Sequence, residues 1–400
     1  MWSWLGGSPA GARSQASRPI ARHANGIAAE PGSAPDLLET LYRASAESTV
    51  RAPIQQHEDR VPAVERGLSL VALRALRTFY HDNGGLHLAV EDACCKSEWP
   101  FSICAMTAST GLSLAESLLH TAQRSGKSES AAALFGRATT YVSYAWDGTT
   151  LGTLLDSTLG ELEAMGETSA LRRFVWIDAL CVSQRLLAKL HLPSVEEPLA
   201  RLCTPVLGAV DQVLLHAFPL MTLWKPRAGQ TPLSSKARAG AQAGRDRRGP
   251  RALSRTWCLY ELAHTAPRGC ELRVVLSEKE RQALPDKLAS SLSFAMVYES
   301  LSEVDVRSSL VGHAADREPL SKALEAMDGG LDRVSQLLRD TMMRWLARQS
   351  RAALLALPTQ ALAMSALVST VSSLLATQGV RMAGLRRCLK WLLCGPRCVC

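Results

Sequence analysis

Glu261, in the run Trp257-Cys258-Leu259-Tyr260-Glu261-Leu262, is the residue whose neighbours best suit it to chemistry. It falls near the middle of a helix predicted over Thr256 to Thr265, with Trp257, Leu259 and Leu262 apolar around it. A carboxylate partly withdrawn from water has a raised pKa and a stronger field, the properties that acid–base and electrostatic catalysis need. The competing reading is a solvated or ion-paired glutamate, with Arg255 or Arg268 as partner. Asp147-Gly148 follows a predicted strand, at the carboxyl end where open α/β sheets bind ligands, and it also reads as a plain Asp-Gly turn. Trp146 beside it offers a face for stacking on a base or for packing. Asp178 ends a second predicted strand, where it either bonds a ligand or caps the next segment. Trp257 joins Trp146, Asp147 and Asp178 as a candidate binding residue. His216, among Leu214, Leu215 and Phe218, reads as a core histidine, and Ser143 as structural. No glycine-rich phosphate loop of the Rossmann or P-loop kind occurs, so dehydrogenase and kinase readings fall away.

The elements that must position these residues follow from hydrophobic spacing. Residues 1–34 are rich in Gly, Ala, Ser, Pro and Arg and read as a disordered tail. A helical region over 35–130 is expected, with a short helix capped by Asp36, another over Val61 to Tyr80, and a third over Thr110 to Gln123 capped by Ser109 or Thr110. Strands are predicted at Ala138 to Trp146, Arg173 to Leu180, Asp211 to Phe218 and Cys270 to Ser277. Helices over Leu151 to Met165, Leu199 to Ala209 and Thr256 to Thr265 alternate with them. That alternation predicts an α/β fold, a flavodoxin-like doubly wound parallel sheet, over 131–300. A basic loop at 225–252 interrupts it, a helical region at 301–350 packs on it with a break at Gly329-Gly330, and an apolar helix with a Cys-rich basic tail covers 351–400.

Three pieces in order, Tyr141-Val-Ser-Tyr-Ala-Trp, Trp176-Ile-Asp-Ala-Leu and Trp257-Cys-Leu-Tyr-Glu-Leu, resemble the TIR family. The first is similar to its opening strand, the second to a strand ending in Asp before a long loop, and the third to the helix of plant-type TIR domains. A protist TIR-like group is closer still, with a Val-Ser-His-Ala-Trp-like strand and a Leu-Thr-Arg-like lead, here Leu253-Ser254-Arg255. The resemblance covers 138–276 well and 107–347 loosely. Tyr144 replaces the His of that strand, Ser183 replaces an Asn, and the 227–252 insertion is longer than in the group. The resemblance implies two alternatives. One is an NAD glycohydrolase cleaving the nicotinamide–ribose bond, with Glu261 as the carboxylate that stabilises an oxocarbenium-like state and NAD as substrate, with no prosthetic group. The other is a non-enzymatic signalling or scaffolding module acting by TIR self-association. For catalysis, Glu261 should open into a cleft at the carboxyl ends of the strands, near Trp146 and Asp147.

The net charge of +8 belongs to one segment. Between Lys225 and Arg255 there are nine basic residues against Asp246 alone, so the rest of the chain balances and nucleic acid is not an expected partner. The eleven cysteines include no pairs at zinc spacing, which makes a structural metal unexpected. Those in the body sit in apolar runs and read as reduced thiols of a cytoplasmic protein. Residues 352–380 carry no charge and read as a packed or amphipathic helix, with a membrane span as the alternative. The basic stretch 384–394, ending in Cys394-x-x-x-Cys398-x-Cys400, suits an anionic membrane surface, with S-acylation of Cys388 or Cys394 as the lipid reading.

Overall fold

The computed structural model describes residues 34–47, most of 61–184 and most of 202–356. The fold is α/β with both parallel and antiparallel pairing. Two compact units form. The first takes residues up to Thr139 with Thr150–Leu155 and the stretch from Leu162 to Gln184; the second takes Thr140–Thr149, Asp156–Glu161 and the described residues from 202 onward.

In the first unit, helix α1 (Ala34–Glu47) carries Asp36 in its first turn. The single helix expected over Val61 to Tyr80 is instead a 3-10 turn at Ala63–Glu65, strand β1 (Gly67–Ser69) and helix α2 (Leu70–Asp82). Two local features divide it. The Ser69 hydroxyl accepts the Ala72 N–H at 3.2 Å, which starts the helix there. Gly67 lets backbones converge: a Cβ on it would lie 2.8 Å from the Gly136 carbonyl and 2.8 Å from the Phe174 Cβ. β1 therefore pairs antiparallel with β2 (Phe135–Gly136) and with β4 (Phe174–Trp176), in the register Leu68↔Phe135 and Leu68↔Val175. Strand β1 thus adds antiparallel pairs to a sheet that the sequence predicted to be parallel throughout. Strands are read from apolar runs set between helices, and a three-residue strand directly ahead of α2 gives no such run. The Phe174 ring fills the space that Gly136 leaves open.

Helices α3 (Val90–Cys95), α4 (Ile103–Met106) and α5 (Leu114–Arg124) complete the helical face, with α6 (Ser128–Leu134) leading into β2. Helix α5 starts later than expected, because Ser113 is its cap in place of Thr110; Ser109, the other expected cap, lies outside the described residues. The Ser113 hydroxyl accepts the Glu116 N–H while the Glu116 carboxylate accepts the Ser113 N–H, a reciprocal capping box. Glu116 also ion-pairs at 2.9 Å with Arg66, the two residues being 2% and 4% exposed. The Arg66 guanidinium donates further to the carbonyls of Val61 and Cys181, and the Trp176 indole donates to the Ala63 carbonyl. Leu68, Leu73, Tyr80, Ile103 and Val175 of the same unit are buried apolar side chains.

The second unit holds three parallel strands in the order β3 (Thr140–Ser143), β5 (Gln212–His216), β6 (Glu271–Val275). Their first residues set the register. The Thr140 hydroxyl donates to Gln212 Oε1, and the Gln212 amide donates to Glu271 at 2.9 Å. Each strand is four or five residues long, with β3 and β5 buried throughout, as parallel strands require. Helix α7 (Leu151–Ala164) gives Ser157 and Thr158 to this unit. Then come α8 (Glu167–Ala170) and α9 (Asp178–Cys181) in the first unit, and α10 (Thr204–Ala209) and α11 (Thr256–Thr265) in the second. Helices α12 (Glu278–Ala289), α13 (Ser291–Ser302), α14 (Arg317–Glu325) and α15 (Gly330–Ala356) follow. Gly329 and Gly330, at φ of 74° and 62°, make the break the sequence indicates between α14 and α15.

Most of the basic loop lies outside the described residues. Its described parts form short antiparallel ladders: Leu223–Trp224 with Arg247–Arg248, and Thr231–Pro232 with Leu310–Val311. The expectations for 1–33 and for the tail beyond Ala356, including lipidation of Cys388 or Cys394, also lie outside them. Among the described residues no helix is long and apolar enough to cross a membrane.

The buried ion pair gives a direct test of the first unit. Arg66→Met leaves the Glu116 carboxylate buried without its guanidinium, a loss that costs about 3–5 kcal/mol. Urea unfolding of the variant should show that drop, whereas an unchanged midpoint would remove Arg66 from the core account.

Candidate functional site

Helix α11 is buried on almost every side, with Cys258, Leu259, Tyr260, Glu261, Leu262 and Ala263 all withdrawn from solvent. It runs opposite in direction to β3. The Cys258 thiol donates to the Tyr144 carbonyl at 3.3 Å, and three residues later the Tyr141 hydroxyl donates to Glu261 Oε1 at 2.7 Å. Three residues forward on the helix thus match three residues back on the strand, or about 10 Å of β-chain. Glu261 is 8% exposed and Tyr141 1%. The carboxylate therefore sits deeper along β3 than the mouth near Trp146 and Asp147 to which the sequence pointed. This 2.7 Å bond gives the phenol an acceptor and the carboxyl group a donor inside the core. The two arginines offered by the sequence as partners make other contacts: Arg255 lies beside Asp147, and Arg268 donates to the Leu207 carbonyl.

At the carboxyl end of β3 the chain turns through Trp146-Asp147-Gly148. Gly148 has φ of 80°, a left-handed conformation that favours glycine, and its missing side chain leaves room for the Arg251 guanidinium. Arg251 donates to the Asp147 carbonyl at 3.1 Å, and Arg255 approaches the Asp147 carboxylate at 3.9 Å. The Thr149 hydroxyl closes the turn on the Ala145 carbonyl at 2.6 Å. Asp147 therefore organises a turn held by two arginines, and Trp146 is half-buried beside it. The Trp257 indole donates to Asp316 at 2.8 Å, which ties the start of α11 to the start of α14. Asp178 belongs to the first unit, where its carboxylate accepts the Ala179 N–H at 2.7 Å in the first turn of α9. Its carbonyl accepts from the Gln184 amide. Of the five residues singled out by sequence, four lie in the second unit, and Glu261, Asp147 and Trp257 each make a contact that holds the fold.

Histidine 216 is a core residue. Its ring nitrogens lie 3.3 Å from the Ser157 hydroxyl and 3.1 Å from the Thr158 hydroxyl, and the Tyr144 ring is tilted toward it with centroids 6.4 Å apart. Burial pushes its pKa down to about 3. Among the described residues no cluster of three or more His, Cys, Asp or Glu is placed to hold a metal. A cavity of about 620 Å³ lies along β6 and α15, with Leu262, Trp345, Arg281, Arg344 and Arg348 on its wall; Glu261 is not among its lining residues. Sequence reasoning missed Tyr141 as the partner of Glu261 and Arg251 as the partner of Asp147. A buried tyrosine in a β-branched strand was the available signal, since its hydroxyl must find an acceptor. No family model, curated protein or solved structure matches this chain.

The burial of His216 fixes the sign of a pH effect. The unfolded chain binds its proton near pH 6.5 and the native chain only near 3, so stability falls as pH drops between these values. Each unit of pH in that window amounts to at most ~1.4 kcal/mol. Compared by denaturant unfolding at pH 7 and pH 4.5, His216→Gln should lose about 2–3 kcal/mol less than wild type. Parallel losses in the two proteins would show that the imidazole does not carry this pH dependence.

Proposed function

We propose that this chain is a TIR-like signalling module, flavodoxin-like in its parallel part, that works by self-association and not by cleaving NAD. The ordered motifs around Tyr141, Trp176 and Trp257 support the TIR-like reading, as do three parallel strands with α11 laid across the first. The observation that favours association over catalysis is the placement of Glu261. Stabilising an oxocarbenium-like ribose requires a carboxylate that faces the sugar within a few ångströms. Here the carboxylate is 8% exposed and accepts the Tyr141 hydroxyl at 2.7 Å, so sugar contact would need α11 to move off β3. Trp146, Asp147 and Trp257, the remaining candidates in that unit, are engaged in a turn and in a helix-to-helix tie. The anionic membrane surface proposed for the basic tail adds a second way of concentrating such a module.

The decisive assay incubates purified protein at high concentration with NAD and follows nicotinamide. No release above a protein-free control is expected, together with a weight-average mass that rises with concentration in sedimentation. Nicotinamide release that Glu261→Gln abolishes would establish the glycohydrolase reading instead.

A further inference from the structure

Cys95 closes helix α3 and Cys104 is the second residue of α4, and their Sγ atoms are 3.6 Å apart. Both side chains are partly exposed, whereas the adjacent Cys94 is fully buried. Described residues between them are tied by hydrogen bonds. The Trp99 N–H donates to the Lys96 carbonyl, the Ser102 N–H to the Trp99 carbonyl, and the Ser102 hydroxyl accepts the Ala105 N–H to start α4. Trp99 and Phe101 pack into a cluster with Phe79, Tyr80 and Tyr42. The fold therefore holds the two sulfurs at this separation. A disulfide bond is about 2.0 Å long, so the sulfurs need to close by only about 1.6 Å, a distance that χ1 adjustments at two partly exposed side chains supply.

We propose that Cys95 and Cys104 are a modification site, a pair of thiols that hydrogen peroxide converts to a reversible intrachain disulfide. Cys95 is the attacking residue. A hydrogen bond from Cys104 pulls its pKa below the ordinary thiol value, against the opposing effects of burial and of the Glu91 carboxylate. The Cys95 thiolate attacks one peroxide oxygen, the O–O bond breaks, and Cys95 becomes a sulfenic acid while hydroxide leaves. That hydroxide takes the Cys104 proton and becomes water. The Cys104 thiolate then attacks the Cys95 sulfur, the S–O bond breaks, and the second hydroxide is protonated by solvent. Two thiols and one peroxide give one disulfide and two waters, and a dithiol reductant reverses the product. Cys181, with its thiol pushed up to about 12 by burial, and Cys258, buried and bonded to the Tyr144 carbonyl, lack this combination of exposure and partner.

The test uses the full chain, reduced and then treated with one equivalent of hydrogen peroxide, alkylated, and digested with trypsin. Cys95 lies in the fragment Thr78 to Lys96 and Cys104 in Ser97 to Arg124, so a disulfide links the two. The linked pair should form in wild type and in Cys94→Ser, disappear after dithiothreitol, and be absent in Cys104→Ser. In Cys104→Ser, Cys95 should accumulate as a sulfenic acid that dimedone traps. The proposal is overturned if wild type gives no linked pair, or if the linkage is lost in Cys94→Ser and so belongs to Cys94. A folded Cys104→Ser variant in which dimedone labels Cys95 no more than the other cysteines would equally overturn it.

Discussion

The hydrogen bond from Tyr141 to Glu261 is the contact around which the second unit is arranged. It joins the middle of β3 to the middle of α11 across 120 residues of chain, and both residues are buried. A buried carboxylate with a poor partner destabilises a fold by several kcal/mol, so the register of α11 against β3 is constrained to bring these two atoms together. The Cys258 thiol on the Tyr144 carbonyl and the Trp257 indole on Asp316 follow from the same register. The most chemically suggestive residue in the sequence is thus also one that the structure needs for its own cohesion.

Buried polar groups set the arrangement elsewhere too. Thr140, Gln212 and Glu271 align the starts of three parallel strands, and two hydroxyls of α7 satisfy the ring of His216. In the first unit, Arg66 gathers Glu116 and two backbone carbonyls, while the glycines at 67 and 136 admit the Phe174 side chain. Apolar burial is non-directional and would tolerate slippage; these directional contacts select one register.

Local signals found local structure. Helix α11, the strands at 212–216 and 271–275, and the break at Gly329-Gly330 follow from spacing and from glycine, both of which act over a few residues. Strand β1 escaped because three residues next to a strongly periodic helix leave almost no alternation to detect. The antiparallel pairs of the first unit escaped for the same reason, since β1 makes both of them. Glu261 was identifiable as a carboxylate on an apolar helix, yet its role depends on Tyr141, and no spacing rule links residues 120 positions apart. Asp147-Gly148 could be read as a turn from its residue types alone, but the arginines that hold it come from a segment more than a hundred residues later.

A double-mutant cycle between Tyr141→Phe and Glu261→Met, read by denaturant unfolding, most directly examines whether Glu261 is a cohesive residue. Each single change strands one buried polar group, while the double change removes both. The account predicts that the double variant is more stable than the sum of the single losses implies, by about 1.5–3 kcal/mol. Additive losses, or a Glu261→Met protein as stable as wild type, would contradict it and return the carboxylate to the list of groups held for chemistry.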